Sequence, residues 1–388
     1  VPTDVKLDLD WCLDLLVDLL RIPSPTGRTD EIIQFIGDVL DGLGLEPRLT
    51  RRGAIQTSLP GGGGGPGRRG LVVHADTIGA MVRFIRTDGR LEIAPVGTWS
   101  ARFAEGARVT VFVDHDDPIT GTILPYKASG HAYGDDVDTQ GVGWDQVVVR
   151  PDVLVDTREQ IEELGVHVGD HVAIHALPQI TPTGFINSRH LDDKAGIAAL
   201  LTAVKGLLDA GIEPAVPTDV LVTISEEVGH GASHGLSGDL AELVSIDAAV
   251  CAPEQTTTET GVTVLMQDLS GPFDFHLTRH LAELAEQHDI EVHRDVFRYY
   301  RSDVAAAIEA GFGMRAALVG FGVDATHGYE RTHVRSLEAT AKLMALHVQT
   351  PLVLGNWDDD PSGQLADFPS HSVQPAQREP RVVETYED

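Results

Sequence analysis

Apolar residues along the chain recur with two different periods. Spacings of three and four predict helices over Trp11–Leu20, Glu31–Leu43, Lys194–Asp209, Phe275–His288, Asp303–Ala310 and Leu337–Val348. Between them lie short continuous apolar runs, Gly70–Val73, Asp219–Ile224, Ala248–Cys251 and Ala316–Phe321, which read as buried strands. Strands alternating with helices of this length predict an α/β fold, a central mixed or parallel sheet covered by helices on both faces.

One stretch breaks the alternation. From Ile78 to Pro178 the chain carries short β-like segments such as RVTVFV and HVAIHAL, separated by turn signals, and only Arg158–Leu164 looks helical. The pattern predicts a small β-barrel, residues 78–178, inserted into a catalytic α/β domain made of residues 1–77 and 179–355. The polar tail 356–388, rich in Pro and Asp, is expected to be disordered. The run Gly61–Gly65, followed by Pro66 and Gly67, reads as a flexible hairpin loop. It lacks the Gly-Lys-Ser/Thr ending of a phosphate-binding loop.

Composition narrows the picture. A chain of 388 residues with 42% hydrophobic content has room for two packed domains. No apolar run reaches the roughly 18 residues of a membrane span, and VPTDVKLDLDW lacks the basic and apolar regions of a signal peptide. Cys12 and Cys251 are too few for a disulfide framework or a Cys-rich zinc site, so a cytoplasmic location is the expectation. With 59 acidic against 29 basic residues the net charge is −30, which argues against nucleic acid and anionic membrane as partners. The acid excess, with five Lys among the basic residues, fits a halophilic surface solvated in a salty cytoplasm. A GC-rich genome is the competing explanation.

Candidate chemistry sits where the apolar segments end. LVVHAD closes a buried strand, and residues i and i+2 share a side, so His74 and Asp76 face one way at a carboxyl end, where open α/β sheets place their sites. Asp76 could hold the second ring nitrogen of a metal-bound His74, although a purely structural pair looks the same. In SRHLDDKAG, Asp192 and Asp193 repel each other unless a cation, Lys194 or a helix N-terminus compensates. Asp193 reads as the helix cap and Asp192 as a candidate ligand. VLVTISEEVGHGAS runs a strand into Glu226 and Glu227, whose side chains must diverge. One can then bind a metal while the other faces the attacking water, unless both are ordinary solvated glutamates. SIDAAVCAPE adds Asp247, in isolation an ordinary turn residue, and FGVDATHGYERTHVRS offers His327 and His333, between which residue chemistry does not choose. The mixed His, Asp and Glu set suits zinc, cobalt or manganese better than calcium. One acid beyond the needs of a single ion points to a bridging carboxylate and two metals.

Taken in order, HAD, LDDKAG, ISEEVGHGA, SIDAAVCAPE, YRSDVAAA and YERTH resemble the TET-type aminopeptidases, dinuclear metallopeptidases that include glutamyl and deblocking aminopeptidases. The resemblance runs from Leu15 to Pro351. It implies a zinc-peptidase-like sheet and a barrel insert that mediates assembly. It also implies two divalent ions per subunit, zinc or cobalt with manganese as the alternative. By position, Asp192 matches the bridging carboxylate, His74 and Asp247 complete one metal site, and Glu227 and His333 the other, which selects His333 over His327. Glu226 matches the general base and Asp76 the carboxylate behind the histidine. Short peptides are the implied substrates, and self-association to a homo-oligomer as large as a hollow dodecamer is the implied assembly. Two departures bear on substrate preference: AAVCAPE follows Asp247 where the family often has Asp-x-Thr-His, and Lys194 stands where Arg is usual. The YERTH ending looks most like a subgroup associated with genes for a glutamine-derived dipeptide osmoprotectant. Two rival readings are a dinuclear N-acyl amino acid or dipeptide amide hydrolase, which would not require a free amine, and an inactive self-assembling binding protein. Glu226 and the complete ligand set argue against the second rival.

Overall fold

The computed structural model describes residues 2–62, 67–114 and 117–353. The expected disordered tail lies outside the described residues, as does most of the glycine-rich loop. Helices form where the apolar stripes predicted them, with ends set by caps. Leu9–Arg21 starts where the Asp8 carboxylate accepts the Trp11 N–H (3.1 Å), and it buries Cys12, Leu15, Leu16, Leu19 and Leu20 along one face. A cap of this kind contributes about 1 kcal/mol. Leu191–Ala210 is buried nearly all round, as befits a helix enclosed by others: it packs on Leu9–Arg21, on Val334–His347 and on the sheet.

Among the described residues the main sheet has twelve strands. Its central order is Ile55–Leu59, Thr218–Thr223, Arg68–His74, Leu240–Cys251 and Arg315–Asp324, continuing to Glu330–His333 and Phe185–Ser188. The strands from Thr218–Thr223 to Arg315–Asp324 run parallel, and the flanks are antiparallel, so the sheet is mixed. Its helical cover is lopsided. The largest core lies under Leu9–Arg21, Asp30–Gly42, Leu191–Ala210, Phe275–Gln287 and Val334–His347. The opposite face has two small clusters and the short helix Asp303–Glu309. That thin side leaves room for a cavity.

The predicted barrel is present as a closed six-stranded sheet: Gly79–Ile85, Leu91–Val96, Val147–Pro151, Ile119–Pro125, Arg108–Val111 and His171–Ile174. It has its own core, including Val82, Ile93, Val109, Ile123, Val149 and Val172. The helix Arg158–Glu163 is there, opened by a capping box between Thr157 and Gln160. The expectation of a single helix in this region is corrected by Ala101–Ala104, Gly130–Tyr133 and Asp136–Thr139. Each is about one turn long, too short to repeat an apolar stripe. Among the described residues no helix is long and apolar enough to cross a membrane.

Candidate active site

Strand parity decides which side chains can meet. In Arg68–His74, Leu71 and Val73 enter the large core, so Val72 and His74 point to the thinly covered face. In Leu240–Cys251, Val244, Ile246 and Ala248 enter the large core, and Asp247 faces the other way with Leu243 and Ala249. Thr223 pairs with His74, so the neighbouring strand ends level with it and delivers Glu226 and Glu227 in the next turn. Ser245 pairs with Val72, which sets Asp247 alongside.

Asp192 lies at the centre of the result. Its Oδ1 is 3.0 Å from Nε2 of His74, and its Oδ2 is 3.5 Å from Nε2 of His327. Glu227 Oε2 is 3.4 Å from the same His327 nitrogen, while Glu226 and Asp247 approach His74 Nε2 to 3.8 and 3.9 Å. The ligand atoms of His74, Asp192 and Glu227, and those of His74, Glu226 and Asp247, form two groups within 4.8 Å.

His333 is not among them. Its Nε2–H donates to the Thr183 carbonyl (2.9 Å), and its Nδ1 accepts the Arg335 N–H (3.1 Å), capping the helix Val334–His347. Both ring nitrogens are thus engaged, and the ring packs edge-on against Phe185. The structure brings His327 to the position expected of His333. His327 sits in a left-handed turn (φ +64°) after the strand Arg315–Asp324, with Nδ1–H donating to the Thr98 carbonyl (2.9 Å) and Nε2 turned toward the acids.

Two other expected roles change in detail. Asp193 does not cap the helix: its Oδ2 accepts the backbone N–H of His74 (3.1 Å). The carboxylate tucks back over Gly196, where any Cβ would stand 2.0 Å from Asp193 Oδ1, so the last residue of LDDKAG has to be glycine. Lys194 does not neutralise the aspartates, because its ammonium donates to the Ile22 carbonyl (2.6 Å). Behind His74 the nearest acceptor for Nδ1–H is the backbone carbonyl of Asp76 (2.9 Å), its carboxylate being 3.6 Å away. That carboxylate accepts the N–H groups of Glu226 (3.1 Å) and Glu227 (3.4 Å) and the Thr26 hydroxyl (2.6 Å). Asp76 therefore orients the glutamate pair.

Glu330 was not singled out from the sequence. Fully buried, it accepts the Asp192 N–H through Oε2 (3.2 Å) and the His327 N–H through Oε1 (2.8 Å), holding two neighbours of the cluster at once. The available signal was its spacing, three residues after His327, from which a carboxylate can reach back to a turn N–H. Asp303, also buried, accepts from Thr223 and from the Ala232 N–H, and so fixes the turn that follows Glu227.

Burial of so many acids leaves the cluster short of positive charge. Desolvation pushes the Glu226 and Asp247 carboxyls well above the usual range, and raises Glu227 to about 7 and Glu330 to about 8. The histidines respond in the opposite sense. Burial alone would depress His327, yet Glu227 and Asp192 bring it to about 10, and His74 is likewise raised by Asp192, Asp76 and the neighbouring acids. Asp192, also buried, is held well below the carboxylate range by its hydrogen bonds to His327 and His74. A set of imidazole and carboxylate donors converging within 4.8 Å of one another fits divalent metal ions.

The sequence profile of the M42 glutamyl aminopeptidases matches residues 53–343. The chain belongs to this family. It is therefore an aminopeptidase, a peptide-bond hydrolase of a metal-dependent family. YhfE of Bacillus subtilis (strain 168), a protein whose name places it among the aminopeptidases, is 38% identical over 341 residues, which is 88% of this chain and 98% of that one. The TET aminopeptidase of the marine sediment archaeon Thaumarchaeota archaeon SCGC AB-539-E09 shares the fold with a TM-score of 0.80 at 18% identity, covering 91% of this chain and 99% of the other. The TET1 peptidase of Pyrococcus horikoshii does so with a TM-score of 0.75 at 23% identity, covering 87% and 99%.

In this aminopeptidase the clustered acids and His327 line a cavity of about 720 Å³ together with Leu269, Phe297 and Tyr299. The size is that of an ordinary small-ligand site, which admits a short peptide segment and no folded domain. Thr98, from the barrel, also lines it.

Proposed function

We propose that the chain is a dinuclear metal-dependent aminopeptidase that removes N-terminal residues from short peptides, using water as nucleophile and Glu226 as general base. The observation that carries this reading is Asp192, whose two carboxylate oxygens each face a different imidazole, as a bridging ligand requires. His74 and Asp247 complete one position, and Glu227 and His327 the other. The donors suit zinc or cobalt, with manganese as the alternative. Ions held by these residues would supply Lewis acidity toward the scissile carbonyl and toward water. Glu226 takes the proton from that water and delivers it to the leaving amine. Asp76 keeps Glu226 and Glu227 pointing apart through their N–H groups. Self-association through the barrel into a homo-oligomer, as large as a dodecamer, belongs to the same proposal. The Pyrococcus horikoshii TET1 peptidase, of the same fold, assembles into a tetrahedron or a large octahedral shell.

The choice between the two histidines has its own test. His327→Ala is expected to lose one ion per chain and to lower turnover at least a hundredfold, on the order of a missing catalytic group. His333→Ala is expected to keep both ions and nearly full turnover, since it removes a helix cap worth about 1 kcal/mol. Metal analysis and kcat of the two purified variants decide it, and the reverse pattern restores His333 as the ligand.

Substrate class is tested with matched free and N-acetylated dipeptide amides in the presence of zinc or cobalt. An aminopeptidase needs the free amine, so the acetylated twin is expected to be cut far more slowly. Equal or faster cleavage of the acetylated member overturns the proposal in favour of an N-acyl amino acid or dipeptide amide hydrolase.

A further inference from the structure

The two halves of the cluster are supported by different parts of the chain. Around His74 the supports come from its own sheet and the residues just past the strand end: Nδ1–H donates to the carbonyl of Asp76, two residues on, and Asp247 Oδ1 accepts the N–H of Ala248. Around His327 the barrel and its root add to the support that Glu330 gives from the main sheet. Nδ1–H of His327 donates to the carbonyl of Thr98, which follows the barrel strand Leu91–Val96. A carbonyl can only accept, so this contact places the proton on Nδ1 and leaves Nε2 free to bind a cation. Glu227 Oε1 accepts the N–H of Ile78 (3.0 Å), the residue before the barrel's first strand, which leaves Oε2 as the oxygen facing His327.

Thr98 itself is held by its neighbours. Trp99 is buried in the barrel core, and its indole N–H donates to the Gly79 carbonyl (3.0 Å), one residue beyond Ile78. Trp144 packs edge-on against it at 4.6 Å and donates its indole N–H to the Trp99 carbonyl (3.3 Å). Gly97 adopts a φ of +82° that only glycine takes without strain. A Cβ there would come within 2.9 Å of the Ile78 side chain and 3.5 Å of Glu227, so its absence lets the loop reach the cluster.

We propose that the inserted barrel completes the second metal position, and that Trp99 is the positioning residue that locks it, by tying the Thr98 carbonyl to Gly79, the residue after Ile78. The first position takes its support from the sheet strands and Asp76, and the Thr98 carbonyl serves His327 instead. The inference rests on the two-metal reading above and adds an asymmetry which that reading does not contain.

The test is Trp99→Phe, which keeps an aromatic ring in the barrel core but removes the N–H to Gly79. Gly97→Ala is a second variant that pushes the loop away from Ile78 and Glu227 while leaving the two indole N–H bonds in place. Zinc and cobalt affinities of the full-length protein are measured for each ion by chelator competition, with melting temperature and near-ultraviolet circular dichroism as checks on the barrel. In at least one variant that retains the wild-type fold, one of the two ions is expected to lose about 10–100-fold in affinity, the range for lost outer supports of a ligand, while the other is unchanged. Two ions bound with wild-type affinities in both variants, or both ions weakened equally, overturn the inference. A wild-type protein that takes only one ion overturns the two-metal reading instead, and this inference with it.

Discussion

Glu226→Gln is expected to abolish turnover while leaving the metal content of the protein unchanged. The glutamine keeps the shape of the side chain and the N–H bond to Asp76, but it cannot accept and return a proton. General bases contribute on the order of 10²–10⁴-fold, and the lower end of that range is easily read in kcat. The metal count matters as much as the rate. Glu226 Oε2 lies 3.8 Å from His74 Nε2, close enough to the cluster for a ligand role to be the competing assignment. A variant that loses both activity and an ion makes Glu226 a ligand. One that keeps most of its activity removes it from the chemistry altogether.

Asp192→Asn is expected to be the most damaging ligand substitution. One of its oxygens serves the side of His74 and the other the side of His327, so an amide leaves each imidazole facing a neutral or repelling group. Both ions are expected to bind more weakly, by at least the roughly 10–100-fold that loss of an outer support costs, and activity is expected to fall with them. His74→Ala, by contrast, is expected to empty chiefly one position. Elemental analysis after exhaustive dialysis separates the two patterns. Two fully retained ions in Asp192→Asn would remove the bridging assignment.

The helices and buried strands were legible because they repeat. Leu15, Leu16 and Leu19 mark a stripe, and Val220 to Val222 mark a strand buried on both faces. Ends were less legible, since they depend on single caps: Val334–His347 starts three residues before its apolar pattern because the His333 ring caps it. His74, Asp192, Glu226, Glu227 and Asp247 could be picked out because each borders a periodic segment, and the structure brings them together. His327 was ambiguous because periodicity says nothing about a left-handed turn, where one residue reverses the direction of the side chain. Glu330 is only faintly marked in the sequence, by its spacing from His327, for a different reason. Its role depends on which two backbone N–H groups face it after folding, and those belong to residues 138 and 3 positions away.

The barrel enters and leaves the α/β domain at neighbouring points, because its first and last strands are paired, Ala80 with Val172 and Met81 with His171. His74 and Asp192, 118 residues apart, must find each other across it. Once those two strands have paired, the stretch still to be closed is only about a fifth as long. The entropy of closing it falls by about 1.5 kcal/mol, from the logarithmic dependence of loop closure on length. The insert thus acts as a folding shortcut. A chain that closes its barrel first brings His74 and Asp192 together at lower entropic cost.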